Sequence, residues 1–262
     1  MKVIGRKNEI KELDNIMNSG KPEFVVVYGR RRVGKTFLVN QYFSDKFTFK
    51  LTGLAKKGKE DQLLNFTQAL NRQGSFTYKM PGTWMEAFEN LRHFLENSKT
   101  KKRRVVFIDE LPFMDTPRSN MITALEHFWN DWASTQNDIV LIVCGSATSW
   151  ITKKIIRNHG GLHNRLTRKI YLRPFSLAET NEYLQVSGFD WDEQTVAECY
   201  MIMGGIPFYL SLLDVWPRMW MSSFSCARAS YLPSSRICMP RFSAIRRIIS
   251  RWCRLSAPRT RA

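Results

Sequence analysis

The sequence predicts an α/β fold, a parallel sheet with helices on both faces. Three observations lead there. Short, uninterrupted apolar runs rich in β-branched residues recur at 24–28 (FVVVY), 104–110 (RVVFIDE) and 139–147 (IVLIVCGSA). Between them lie segments with apolar residues at three- and four-residue spacing, the period of an amphipathic helix. The runs end at Gly29, Asp109 and Ser146, and strand carboxyl ends are where such sheets gather ligands.

Taken in order, FVVVY is a strand buried on both faces, since it is apolar throughout and not alternating. TFLVNQYF reads as the helix after it, and FTFKLT at 47–52 as a second strand. KEDQLLNFTQAL (59–70) and TWMEAFENLRHFLEN (83–97) read as amphipathic helices. RVVFIDE is a buried strand ending in two acids. NMITALEHFWNDWAS (120–134) is a helix, and IVLIVCGSA a strand ending in small residues. RKIYLRPF is a short strand that stops at Pro174. SLAETNEYLQ opens with the Ser-x-x-Glu pattern of a capping box and reads as a helix. EQTVAECYMIMGG (193–205) is another, ended by glycines.

The 262 residues suffice for one large domain, or a domain with a small subdomain, and at 44% hydrophobic they can build a core. MKVIGRKNEI has no apolar stretch of the signal-peptide kind. No apolar run approaches the roughly 18 residues of a membrane span, so no membrane partner is expected. The five cysteines form no Cys-x-x-Cys pair, which fits reduced thiols in a cytoplasmic protein better than disulfides or a zinc site.

A net charge of +17 invites a nucleic-acid reading. However, the last 48 residues alone carry ten Arg and no acid. That stretch also lacks Lys, Gly, Asn and Gln, and holds three of the five cysteines and nine serines. A basic nucleic-acid arm is one reading. Such arms usually mix Lys with Arg and carry few Trp, Cys or Met, so an out-of-frame translation after about Asp214 is preferred. The coding DNA decides, because a shifted frame should restore an acid-containing amphipathic continuation.

Gly29-Arg30-Arg31-Arg32-Val33-Gly34-Lys35-Thr36 fits the phosphate-loop pattern G-x-x-x-x-G-K-[ST]. Its glycines let the backbone wrap with N–H groups inward, and the next helix offers its positive end to the same anion. Lys35 is expected to reach the β- and γ-phosphates of ATP and the Thr36 hydroxyl to bind Mg2+. Gly29, Arg32, Val33, Gly34 and Phe37 complete this cofactor-binding set. The opposing reading is a surface turn rich in Gly and Lys. The side chains of Arg30, Arg31 and Arg32 are expected to face solvent or a neighbouring subunit.

Asp109 supplies the second acid that such a loop needs near Mg2+, and Glu110 is placed to orient and activate the attacking water. The alternative is that both acids cap a strand and pair with surface lysines. Ser146 can bond the attacking water or γ-phosphate, or cap a helix, as Thr148 also could, and one residue can do both. Arg165 is a candidate arginine finger, set against an ordinary surface arginine. His159 and His163 are four apart, but without a third ligand they read as solvated.

VIGRKNEI, VVVYGRRRVGKT, VVFIDELPFMDTPRSN, LIVCGSATSW, GGLHNR and GGIPFYL together resemble the prokaryotic and archaeal-type ATPases of the AAA/STAND group of P-loop proteins. The resemblance covers residues 1 to about 214. It implies a P-loop NTPase three-layer sandwich over 1–175, a small helical lid and the start of a winged helix over 176–214, and an aberrant Arg/Ser-rich tail over 215–262. It implies that Ile4, Gly5 and Arg6 lie near the adenine, that Pro174 starts the lid, and that Gly204–Leu210 enters the winged helix. Many relatives also carry a nuclease-like C-terminal domain. This chain departs from the pattern after Asp214, so the winged helix is expected to be incomplete. The function implied is Mg2+-dependent ATP hydrolysis by a switch or helper, as a homo-oligomer or with a DNA or protein partner. Its rivals are a non-hydrolysing nucleotide-dependent binding module and, third, a small-molecule kinase.

Overall fold

The computed structural model describes residues 3–98, 103–157, 161–162 and 164–213. His159, His163 and the tail, with its expected frame change, lie outside them. Five strands, β1 (Glu23–Tyr28), β2 (Phe47–Thr52), β3 (Arg104–Asp109), β4 (Ile139–Gly145) and β5 (Arg168–Tyr171), form one parallel sheet. Their order is β2-β3-β4-β1-β5. Tyr28 pairs with Gly145 and Ile108 with Val143, so β1, β3 and β4 end nearly level.

Alternation persists in the apolar stretches of β1, β3 and β4 although they are continuous. Phe24, Val26, Val106, Ile108, Leu141 and Val143 belong to one buried cluster, and Val25, Val27, Val105, Phe107, Val140 and Ile142 to another. Successive side chains point to opposite faces, and both faces are covered, which is why the runs read as continuous hydrophobics. The first face is covered by α3 (Lys59–Gln73), α4 (Trp84–Glu96) and α5 (Met121–Asp131), the second by α1 (Lys7–Asn18) and α2 (Lys35–Phe43). This is the three-layer α/β sandwich that the sequence predicts.

The elements depart from expectation at their edges. Helix α1 was not singled out by the sequence reading, because KNEIKELDNIMN is dominated by polar residues. Yet Leu13 and Ile16 are fully buried, and Ile10 and Met17 pack beside them. α5 stops at Asp131, short of Ser134; Trp132 takes φ −130°, and a 3-10 turn over Ala133–Thr135 follows. β5 is limited to Arg168–Tyr171, with one further bond from Leu172 N–H to the Tyr28 carbonyl. After β4 come a short helix α6 (Thr148–Ile151), where the sequence allowed a helix to begin, and a π-helical turn, Thr152–Ile156, that it did not anticipate.

The last described segment holds α7 (Leu177–Val186), α8 (Glu193–Met203) and α9 (Pro207–Leu210). The capping box of α7 forms as predicted: Ser176 accepts from the Glu179 N–H, and Glu179 accepts from the Ser176 N–H at 2.9 Å. Phe175, Tyr183, Leu184, Val196, Cys199, Leu210 and Leu213 make a third buried cluster, against which Ile4 packs. No helix among the described residues is long and apolar enough to cross a membrane.

Candidate functional site

The site follows from strand parity. Asp109 continues the series Val105, Phe107 on the face that α2 covers. Its Oδ2 therefore meets α2 and accepts a hydrogen bond of 2.8 Å from Thr36 Oγ1. Asp109 is 3% exposed. Neither acid pairs with a surface lysine among the described residues, contrary to the strand-cap alternative.

Glu110 leaves the strand at φ 48°, a left-handed conformation uncommon for a residue with a side chain. Its N–H donates to Asp109 Oδ1 at 3.0 Å. Its carbonyl approaches Gly53 so closely that a Cβ there would sit 2.7 Å from the oxygen. Gly53 is thus required by the turn that aims Glu110, a role the sequence reading missed. Glu110 Oε2 accepts from both the N–H and the hydroxyl of Ser146, each at 3.1 Å. Ser146 does not cap α6, nor does Thr148: the N-cap position is Ala147 and no side chain caps it. The helix-cap alternative is therefore corrected, since the Ser146 hydroxyl is spent on Glu110.

The loop from Gly29 to Thr36 joins β1 to α2. Gly29 has φ 146°, and a Cβ there would lie 2.3 Å from the Leu172 carbonyl oxygen, so no other residue fits. Val33 is buried in the α2-side cluster, and Gly34 stands at the N-cap of α2. Lys35 is 6% exposed, and its ammonium donates to the carbonyls of Gly29 at 3.1 Å and Arg30 at 2.8 Å. Burial pulls its pKa below the ordinary lysine value, the charges of Glu110 and Asp109 oppose this, and Arg31 adds to it. Beneath the loop, burial pushes the Cys144 thiol well above its ordinary value, with the Asp109 charge adding to the effect.

A cleft of about 340 Å3 opens above these residues, lined by Arg31, Arg32, Lys35, Thr36, Glu110 and Ser146, with Phe37 and Phe113 as its apolar wall. All three loop arginines are exposed, as the sequence suggested, and two of them also find partners within the chain. Arg31 Nε reaches Ser146 Oγ at 3.3 Å. Arg32, at φ 68°, lays its guanidinium 4.7 Å from the Phe208 ring centre and donates to the Tyr209 hydroxyl at 3.2 Å. Phe208 N–H in turn bonds the Arg32 carbonyl at 3.4 Å.

Ile4, Gly5 and Pro174 come together beside the loop rather than in it. Ile4 packs on the cluster containing Phe175, the residue after Pro174. Gly5 abuts Glu179, where an added Cβ would fall 2.8 Å from Oε1. Arg6 is 5% exposed, donates to the Val33 carbonyl at 3.2 Å and lies 4.7 Å from the Phe175 ring centre. Burial lowers its pKa, while Glu9 and Glu179 oppose that. The N-terminal stretch thus ties the phosphate loop to α7.

Arg165 is not brought to this cleft. It is exposed, in the turn before β5. Two residues later, Thr167 N–H bonds the Phe24 carbonyl at 2.9 Å, at the amino end of β1. The five steps from Phe24 to Gly29 span about 16 Å of strand.

Thr36 and Asp109 present hard oxygen donors side by side, a set that fits Mg2+ completed by water and phosphate oxygens. Among the described residues no cluster of three or more His, Cys, Asp or Glu could hold a metal alone. The donor set thus suits an ion that arrives with a phosphate ligand.

An uncharacterized protein of Methanocaldococcus jannaschii is 27% identical over 207 residues, which is 79% of this chain and 43% of that protein. An uncharacterized ATP-binding protein of the same organism is 40% identical over 43 residues, 16% of this chain and 73% of the relative. The chain thus spans less than half the length of the first relative. Among solved structures, the Walker-type ATPase of Pyrococcus abyssi superposes with a TM-score of 0.62 at 17% identity, covering 95% of this chain and 77% of the other. The ORC1 protein of Aeropyrum pernix, in complex with DNA, gives a TM-score of 0.56 at 14% identity, covering 95% and 66%. These two likenesses establish the shared fold. A family described as an ATPase domain predominantly from Archaea matches residues 4–213. That match takes in the whole cleft and well over half the sequence, and the chain belongs to this family of ATPase domains.

Proposed function

We propose that the chain binds ATP with Mg2+ and hydrolyses it to ADP and phosphate, acting as a switch or helper of the AAA/STAND kind. The observation that carries this reading is the Thr36–Asp109 hydrogen bond at the mouth of the phosphate loop, with Glu110 poised beside it. Thr36 and Asp109 would hold Mg2+, which when bound neutralises phosphate charge. Lys35 gives up its two carbonyl partners for phosphate oxygens. Glu110 accepts the proton of the attacking water, and Ser146 reports the γ-phosphate. Ile4, Gly5 and Pro174 border the adenine, and residues 176–213 act as the lid. Arg165, at the far end of the sheet, would serve a neighbouring subunit's site rather than its own. The free Cys144 and Cys199 suit a reducing cytoplasm.

A second reading is a nucleotide-dependent module without turnover, with a DNA or protein partner. It draws on Glu110 Oε2, which is already engaged twice by Ser146, and on a structural neighbour that is bound to DNA. ATP turnover by the full chain beside Glu110→Gln separates the two. Loss of about 100-fold or more in kcat, with ATP affinity kept, supports hydrolysis. Tight binding with no turnover in either protein supports the module, and no binding at all sinks both.

A further inference from the structure

We propose that Arg31 is a catalytic residue, supplying within the chain the positive charge that meets the γ-phosphate during hydrolysis. The inference rests on the ATPase reading and adds to it a cation that was expected to come from Arg165.

Three observations carry it. Arg31 lines the same cleft as Lys35, Thr36 and Glu110, and spans it to Ser146, 115 residues away in sequence. The Ser146 hydroxyl links the Arg31 guanidinium, at 3.3 Å, to Glu110 Oε2, at 3.1 Å, so the cation and the proton acceptor are joined through one serine. Among the described residues Arg31 forms no ion pair with a carboxylate. Of the other cations lining the cleft, Lys35 is the one already assigned to the phosphates, and Arg32 is braced by Phe208 and Tyr209.

The chemistry asks for such a group. The water oxygen bonds to the γ-phosphorus while the bond from phosphorus to the bridging oxygen breaks, leaving its electron pair on ADP. The water's proton passes to Glu110. Negative charge shifts onto the bridging oxygen and remains spread over the outer γ-oxygens, where a planar, permanently charged guanidinium matches it better than an ammonium.

The test uses the full chain with Arg31→Ala and Arg31→Lys, checked for native melting temperature. Arg31→Ala should lower kcat by about 100-fold or more, with Kd for ATP within about threefold of wild type. Arg31→Lys should fall between them. A second readout is independent of turnover. Wild type should trap ADP with aluminium fluoride, a mimic of the transferring phosphoryl group, and Arg31→Ala should not, although both bind ADP alike. Near-wild-type turnover or trapping by Arg31→Ala overturns the proposal, and so does a parallel loss of ATP binding and turnover. A wild-type chain that binds ATP but traps nothing also overturns it, since the cation is said to be in place already. A wild-type chain that binds no ATP instead overturns the ATPase reading beneath it.

Discussion

The two ends of the sheet use the same residue types for opposite purposes. At the amino end, Arg104 grips Asp138 with two bonds of 2.6 Å and adds the Leu95 carbonyl at 3.1 Å. Arg103 beside it donates to the carbonyls of Ile16, Lys21 and Ile139. The Arg104 charge is met by a carboxylate, whereas Arg103 is held by these carbonyls and the Ser19 hydroxyl. At the carboxyl end, Arg31, Lys35, Asp109 and Glu110 form no ion pair among the described residues. Their partners are carbonyls, a threonine and a serine. Neutral partners position a charge without cancelling it, and where a cleft opens beside that charge, as here, they leave it for an anion or a metal. The difference tells a charge tied up in an ion pair, as at Arg104, from one left open to the cleft.

Substitutions at the two ends should therefore part company. The largest effect belongs to Lys35→Ala. Calorimetry should find ATP affinity reduced by about 100-fold or more, because a buried point charge on the phosphates is lost. Melting temperature should hold or rise, since burial already disfavours this cation. Lost binding together with a collapsed fold would blur the contrast. At the other end, Arg104→Ala should cost about 2 kcal/mol in urea unfolding, because four bonds go and packing on Trp132 is lost. ATP affinity should be unchanged, and a matching change would show that the ends are coupled. The smallest effect is in pH. The hydrogen bond from Arg104 holds the Asp138 carboxyl below the ordinary aspartate value. That stabilisation is complete above the unfolded value of about 3.9 and is lost as pH falls through the lower folded one. Wild type should lose stability across that acid window faster than Asp138→Asn. Equal acid slopes would mean that the pair is screened by solvent.

Much of this was legible because burial writes itself into sequence. β1, β3 and β4 are covered on both faces, so their apolar runs could hardly be anything else. Lys35, Thr36 and Asp109 follow from spacing, since a loop and a strand end fix their backbones locally. Arg31 was not legible. Its backbone is set by the loop, but its side-chain direction depends on Ser146, supplied by a distant strand. Ser146 had two open readings for the same reason: the choice lay with Glu110, not with its own neighbours. Gly53 gave no signal beyond a glycine after a strand, because the atom it makes room for is the Glu110 carbonyl. Helix α1 did show its spacing, in Ile10, Leu13, Ile16 and Met17, but mostly polar residues diluted it.

The bracing of Arg32 by Phe208 and Tyr209 bears on how the protein is born. Arg32 and Tyr209 are 177 residues apart in the chain. At ordinary ribosome speeds roughly ten to thirty-five seconds separate their synthesis. The nascent phosphate loop emerges early, with its glycines and lysine in place, but must wait for α9 before its third arginine finds a support. Nucleotide present in the cell would meet an unbraced loop first and a braced one later, so translation itself sets the order in which the loop is finished.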